Sequence, residues 1–182
     1  DTFNHIYIFT KQPDEPIYQM LQSELKDMVT LLPIGEMIKY DDLPKQGQKM
    51  VIFDDFLTES KDVVKNITQY SIMARKKFCT CFYLVQSFFT SIDTKTIRKN
   101  LSYIILLKMT DKKNLNLIQQ TLPHDIDPKI TKSIIGNATK FKMNICIIDL
   151  MATDEEKIFR RNFNEYYDPN DLQLYNYDGL NN

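Results

Sequence analysis

The chain has 182 residues, 43% of them hydrophobic, and a formal net charge of -1. That size and apolar content fit one α/β core, and the near-zero charge argues against a free-standing electrostatic DNA binder, which needs many clustered Lys and Arg, so that any DNA contact is local or shared among subunits. No apolar run reaches the roughly 18 to 20 residues that cross a bilayer, and no charged-then-apolar leader opens the sequence; a soluble chain with no membrane partner is expected.

In chain order, residues 5–9 form a short β-branched and aromatic run that predicts a buried strand. A helix is predicted next, with Asp14 as N-cap, Pro16 in the first turn, and Ile17, Leu21, Leu25 and Met28 on one face. A weaker strand falls at 29–32 and a clear one at 50–53. The second helix, about 59–75, has Val63, Ile67, Tyr70 and Ala74 as its apolar stripe and Glu59 and Asp62 near its positive end. Strands at 78–85, 103–108 and 143–150 complete the sheet. Between the last two lie helices at about 112–122, with Leu115, Ile118 and Leu122 in register, and at 128–140, capped by Asp127. Strands alternating with helices predict a mostly parallel sheet with helices on both faces. Residues 1–160 read as this core. From 161 to 182 the composition turns to Asn, Asp and Tyr, which predicts a polar tail.

The rule that α/β active sites lie beyond the carboxyl ends of the strands directs attention to Met50-Val51-Ile52-Phe53-Asp54-Asp55. Four apolar residues deliver two carboxylates to the strand end, a Walker B arrangement in which one acid holds Mg²⁺ and the other polarises water. The strand at 78–85 ends in Gln86, whose amide suits a γ-phosphate or the lytic water. Taken singly, an acidic turn after a strand and a strand-capping glutamine are commonplace.

Other residues carry less. Cys79, Cys81 and Cys146 are odd in number and lie in strand-like runs, which predicts free thiols in a reducing compartment and no metal site. His5 and His124 lack partners at ligand spacing. Ser87 and Ser91 lack a histidine to activate them. The pairs Lys76-Lys77 and Lys112-Lys113 read as solvated surface that touches DNA phosphates only if several copies add their charge.

Several blocks together resemble a family. Phe3-Asn4-His5-Ile6-Tyr7-Ile8-Phe9-Thr10-Lys11, then Pro13-Asp14-Glu15-Pro16-Ile17-Tyr18, look like the segment after the P-loop helix in poxvirus-type genome-packaging ATPases of the FtsK/HerA superfamily, a group that includes large DNA virus, virophage and Polinton-like relatives. Met50 to Asp55 is similar to their Walker B strand. Met73-Ala74-Arg75-Lys76-Lys77 and the strand to Gln86 resemble a helix-end arginine followed by a sensor strand. Ile97-Arg98-Lys99-Asn100 and the strand after it resemble the next block. The resemblance runs in order over about residues 3–150.

The resemblance implies a RecA-like P-loop NTPase core. It implies ATP and Mg²⁺ as cofactors, Asp54 as the metal-associated carboxylate, Asp55 as the acid that polarises water, Gln86 as the γ-phosphate sensor, and Arg75 or Arg98 acting on a neighbouring subunit's nucleotide. It further implies a homo-oligomeric ring that drives double-stranded DNA into a capsid, a capsid or portal-vertex protein as partner, and a place in the host cytoplasm, at the viral factory, or in the virion. One departure is large: GxxxxGK[ST] is absent, and Gly35, Gly47, Gly136 and Gly179 begin no such loop. With Asp1 as first residue, the expectation is a fragment whose first strand and P-loop lie upstream. Two alternatives stand beside it: a non-catalytic interaction domain that keeps the fold, and a metal-dependent nuclease built on Asp54, Asp55 and Asp149.

Overall fold

The computed structural model describes residues 2–88 and 94–176, so Asp1, Ser91 and the last six residues lie outside the described part. The chain divides into two compact units, Asp1–Asn100 and Leu101–Asn182. This differs from the expected core to residue 160 followed by a tail.

In the first unit four strands, β1 (His5–Thr10), β2 (Val29–Pro33), β3 (Lys49–Asp54) and β4 (Cys79–Leu84), form a wholly parallel sheet in the order β2-β1-β3-β4. Alternation along β1 sends Ile6 and Ile8 to one face and Tyr7 and Phe9 to the other. Helix α1 (Pro16–Leu25) covers the first face, where Tyr18, Leu21 and Leu25 pack with Ile6, Ile8, Val29, Leu31 and Ile52. Its buried stripe is set one residue later than predicted: Tyr18 is inside and Ile17 is half exposed. The residue before the helix is Glu15, not Asp14.

Helix α2 (Lys61–Met73) covers the opposite face, with Ser60 as N-cap and Val64, Ile67 and Tyr70 buried. Here Val64 takes the place predicted for Val63. Aromatic rings knit this side: Phe9 to Phe53 at 5.7 Å, Phe53 edge-on to Tyr70 at 5.1 Å, and Phe53 stacked on Tyr83 at 5.4 Å. Phe53 is fully buried, a side chain of a class worth about 1.5–3 kcal/mol when removed from water. Two tyrosine hydroxyls on this side find carbonyls: Tyr40 donates to Met73 O and Tyr70 to Ile38 O, each at 2.8 Å. Helix α3 (Lys95–Lys99) is short and packs on α2.

Lys77 departs most from its expected character. It is only 7% exposed, and its ammonium donates to the carbonyls of Tyr40, Asp41 and Leu43 at 2.7, 2.8 and 2.8 Å. It also stands 4.8 Å from the Tyr40 ring centroid. Lys77 is thus an internal clamp on the β2–β3 connection and cannot serve as a solvated DNA contact. Lys49, also buried, holds the Gln46 carbonyl in a similar way at 2.7 Å.

The second unit is an antiparallel sheet, β5 (Tyr103–Leu106), β6 (Cys146–Asp149), β7 (Phe159–Arg161), β8 (Glu165–Tyr167) and β9 (Leu174–Asn176), in chain order. Helices α4 (Lys112–Gln119) and α5 (Pro128–Ala138) fall between β5 and β6 and pack on each other. Asp111 and Asp127 cap them through side-chain bonds to Asn114 N and Lys129 N, both at 2.7 Å. β5 and β6 were expected to continue the parallel sheet, but buried runs do not reveal strand direction. The region expected as a tail contains β8 and β9, with Tyr166 and Tyr167 buried.

Candidate functional site

All four parallel strands present their carboxyl ends on one edge. The β1–β3 register pairs Phe9 with Phe53, so the next residues, Thr10 and Asp54, meet side by side. Thr10 Oγ1 donates to Asp54 Oδ2 at 3.0 Å, and Tyr18 reaches up from α1 to donate its hydroxyl to the same oxygen at 2.6 Å. Thr10 Oγ1 in turn accepts from Gln12 N at 3.2 Å. Two donors therefore fix one carboxylate oxygen, while Oδ1 takes no hydrogen bond among the described residues. The Tyr18 phenol is pushed far above its ordinary pKa, first by burial and then by the bond to the Asp54 carboxylate.

Asp55 leaves β3 with φ of +52°, in the left-handed region that Asp tolerates better than most residues. Its N–H donates to Leu84 O at 3.0 Å, which ties the second acid to the end of β4. Gln86 follows two residues beyond Leu84 and is exposed. Lys11, just past β1, contacts Thr58 Oγ1 and lies 3.5 Å from Glu59 Oε1. The edge thus gathers Thr10, Lys11, Asp54, Asp55, Glu59 and Gln86 above Tyr18.

Not every candidate joins this group. Arg75 lies in the 3₁₀ turn Ala74–Lys77 that precedes β4, at the opposite edge of the sheet. The six-residue β4 separates it from Gln86, a rise of roughly 20 Å at strand geometry. Arg75 therefore does not act on its own chain's acids. Arg98 is half-buried on α3, which packs on α2. Asp149 belongs to the second unit, and both its oxygens are engaged: Oδ2 by Arg160 at 2.9 Å and Oδ1 by Met151 N at 3.0 Å.

Thr10 and Tyr18 were not singled out in the sequence. Thr10 ends a strand and was within reach of the same carboxyl-end rule that found Asp54. Tyr18 was hidden because Ile17, the more apolar neighbour, looked like the inward residue.

The donor set bears on Mg²⁺. Among the described residues no three His, Cys, Asp or Glu side chains converge as a metal cage. A single carboxylate with one open oxygen fits Mg²⁺, which keeps its waters and shares a site between one or two carboxylates and substrate phosphates. Tyr18→Phe keeps the ring and removes one bond to a charged acceptor, so it is expected to cost about 1–2 kcal/mol in urea denaturation. An unchanged midpoint would remove Tyr18 from the support of Asp54.

No protein-family model and no curated protein sequence matches this chain. Two solved structures do align with it, both of the genome packaging NTPase B204 from Sulfolobus turreted icosahedral virus 2. The complex with AMP gives a TM-score of 0.50 at 8% identity, covering 88% of this chain and 97% of that chain. The complex with ATP-gammaS gives 0.46 at 9% identity, covering 94% and 95%. The first likeness establishes the fold: this chain is an α/β protein with the architecture of a viral genome-packaging NTPase, its parallel sheet covered by helices on both faces. At such identity it establishes the fold alone.

Proposed function

We propose that this chain supplies the acid and sensor side of an ATP-hydrolysing site in a motor that packages double-stranded viral DNA. The observation that carries the proposal is Asp54, clamped on Oδ2 by Thr10 and Tyr18 and open on Oδ1, beside Asp55 at the carboxyl edge of a parallel sheet. Mg²⁺, when bound with nucleotide, supplies charge neutralisation at the phosphates. Asp54 would hold that ion through its open oxygen. Asp55 orients the attacking water and accepts its proton as the new O–P bond forms and the bond to ADP breaks. Gln86 donates its amide to a γ-phosphate oxygen, so the strand end differs between ATP and ADP states.

This site requires a phosphate-cradling loop from polypeptide outside residues 1–182, because the chain contains none. β4 offers such a segment a place. It is an edge strand among the described residues, and its Phe82 and Leu84 are partly exposed on one face. Arg75, far from its own acids, suits a role across a subunit boundary, which a homo-oligomeric ring provides; Arg98 is the second candidate for that role. A capsid or portal-vertex protein completes the proposed assembly, at the viral factory in the host cytoplasm or in the virion.

The test is ATP hydrolysis by a polypeptide that joins the P-loop segment to this chain, with and without duplex DNA. Mg²⁺-dependent hydrolysis stimulated by DNA is expected. No hydrolysis in either condition would leave the interaction domain as the function. DNA cleavage without ATP would favour the nuclease, although the engaged oxygens of Asp149 argue against it.

A further inference from the structure

Two turns at one end of the second unit carry apolar side chains into solvent. The first spans residues 141–144 and closes through Asn144 N–H donating to Phe141 O at 3.2 Å. The second, residues 162–164, joins β7 to β8. Asn162 fastens the two: its N–H donates to Ile145 O at 2.9 Å and its Oδ1 accepts from Ile145 N at 3.1 Å. On these turns Phe141 is 63% exposed, Met143 83% and Phe163 74%.

Folding gains little from this arrangement. Each such side chain left in water forgoes about 1.5–3 kcal/mol of burial, and the two bonds between Asn162 and Ile145 hold the turns that carry them together. The backbone adds a cost, since Met143 sits at φ of +72°, where a residue other than Gly, Asn or Asp is held against a strain of about 1–3 kcal/mol. Two turns fastened to each other that expose two phenyl rings and a strained methionine point to a surface kept for binding.

The charge around it favours a polyanion. Lys140 and Lys142 flank Phe141, and the Lys140 ammonium stands 5.7 Å from the Phe141 ring centroid. Residues 140–145 and 162–164 include no acid. The nearest in sequence, Glu165, is gripped by Arg161 through Nε to Oε2 at 2.7 Å and a second contact to Oε1 at 2.5 Å. Among the described residues the two turns thus carry two exposed lysines, Lys140 and Lys142, and three exposed apolar side chains, with no acid in their own sequence.

We propose that these paired turns are a duplex-DNA contact, with Lys140 and Lys142 on phosphates and Phe141, Met143 and Phe163 against sugars and base steps in a groove. The choice of a duplex among polyanions rests on the packaging function proposed above. One copy binds weakly through two lysines; copies in a ring add their contacts.

Anisotropy of a short fluorescein-labelled duplex, titrated with this chain at several salt concentrations, tests the proposal. Wild type is expected to bind with salt-sensitive affinity. Lys140→Glu with Lys142→Glu should lower affinity at least about tenfold and flatten the log–log salt slope by about two. Phe141→Ser with Phe163→Ser should weaken binding by about tenfold and leave the slope unchanged. Absence of duplex binding, or equal binding by all variants, would overturn the proposal. Variant-sensitive binding to phosphatidylserine vesicles, or variant-sensitive self-association, in place of duplex binding would overturn it too. ATP hydrolysis by the P-loop-bearing polypeptide is scored separately. Intact DNA-stimulated hydrolysis with variant-insensitive binding removes this patch alone, and absent hydrolysis removes the motor site itself.

Discussion

Asp55→Asn in the P-loop-bearing polypeptide is expected to lower ATP turnover by about a hundredfold or more while nucleotide affinity changes little. The number follows from the role proposed for Asp55, a positioned proton acceptor, which contributes about 10² to 10⁴ in rate. Asparagine is the right replacement for a structural reason. Asp55 occupies a left-handed conformation with its N–H on Leu84 O, and Asn is among the residues that tolerate that region. The backbone and the β3–β4 tie therefore survive and only the charge is lost. Steady-state hydrolysis beside fluorescent-nucleotide binding separates the two effects. Unchanged turnover would show that Asp55 is a turn residue and would favour the interaction domain.

The second large effect concerns stability. Lys77→Met keeps the length and apolar stem of the side chain and removes the ammonium that satisfies three carbonyls. Buried acceptors left without donors cost about 1–3 kcal/mol each, partly relieved where water enters. A loss of about 3 kcal/mol is expected in urea denaturation, together with loosening of the segment that holds Tyr40 and Leu43. Lys76→Met, one residue earlier and exposed, is the control and should change little. Equal behaviour of the two variants would show that the clamp is dispensable.

The contrast between these lysines shows what the sequence conceals. Lys76 and Lys77 are chemically identical and adjacent, and only the path of the β2–β3 connection over the sheet makes one an internal donor. By contrast, β3 and its two acids were legible because a parallel strand buried on both faces is written as a continuous apolar run. β4, an edge strand with Phe82 and Leu84 exposed on one face, was legible because those outward residues are themselves apolar or aromatic. The phase of α1 was not legible, because Ile17 and Tyr18 are both apolar enough to face inward. The outcome follows from Tyr18 having a carboxylate to meet and Ile17 having none. β7, β8 and β9 are three residues each, too short for any period to show. The predicted strand at 143–150 begins only at Cys146, because Met143 is turned out at positive φ.

The proposed site requires that nucleotide docks on this edge of the sheet. Hydrogen exchange of the P-loop-bearing polypeptide, with and without Mg²⁺ and ATP-gammaS, reads that docking. Slowed exchange at residues 10–12, 54–56 and 85–87, with the opposite edge around 74–78 unchanged in the monomer, is the predicted result. Nucleotide binding that leaves the 54–56 and 85–87 segments unprotected would contradict it.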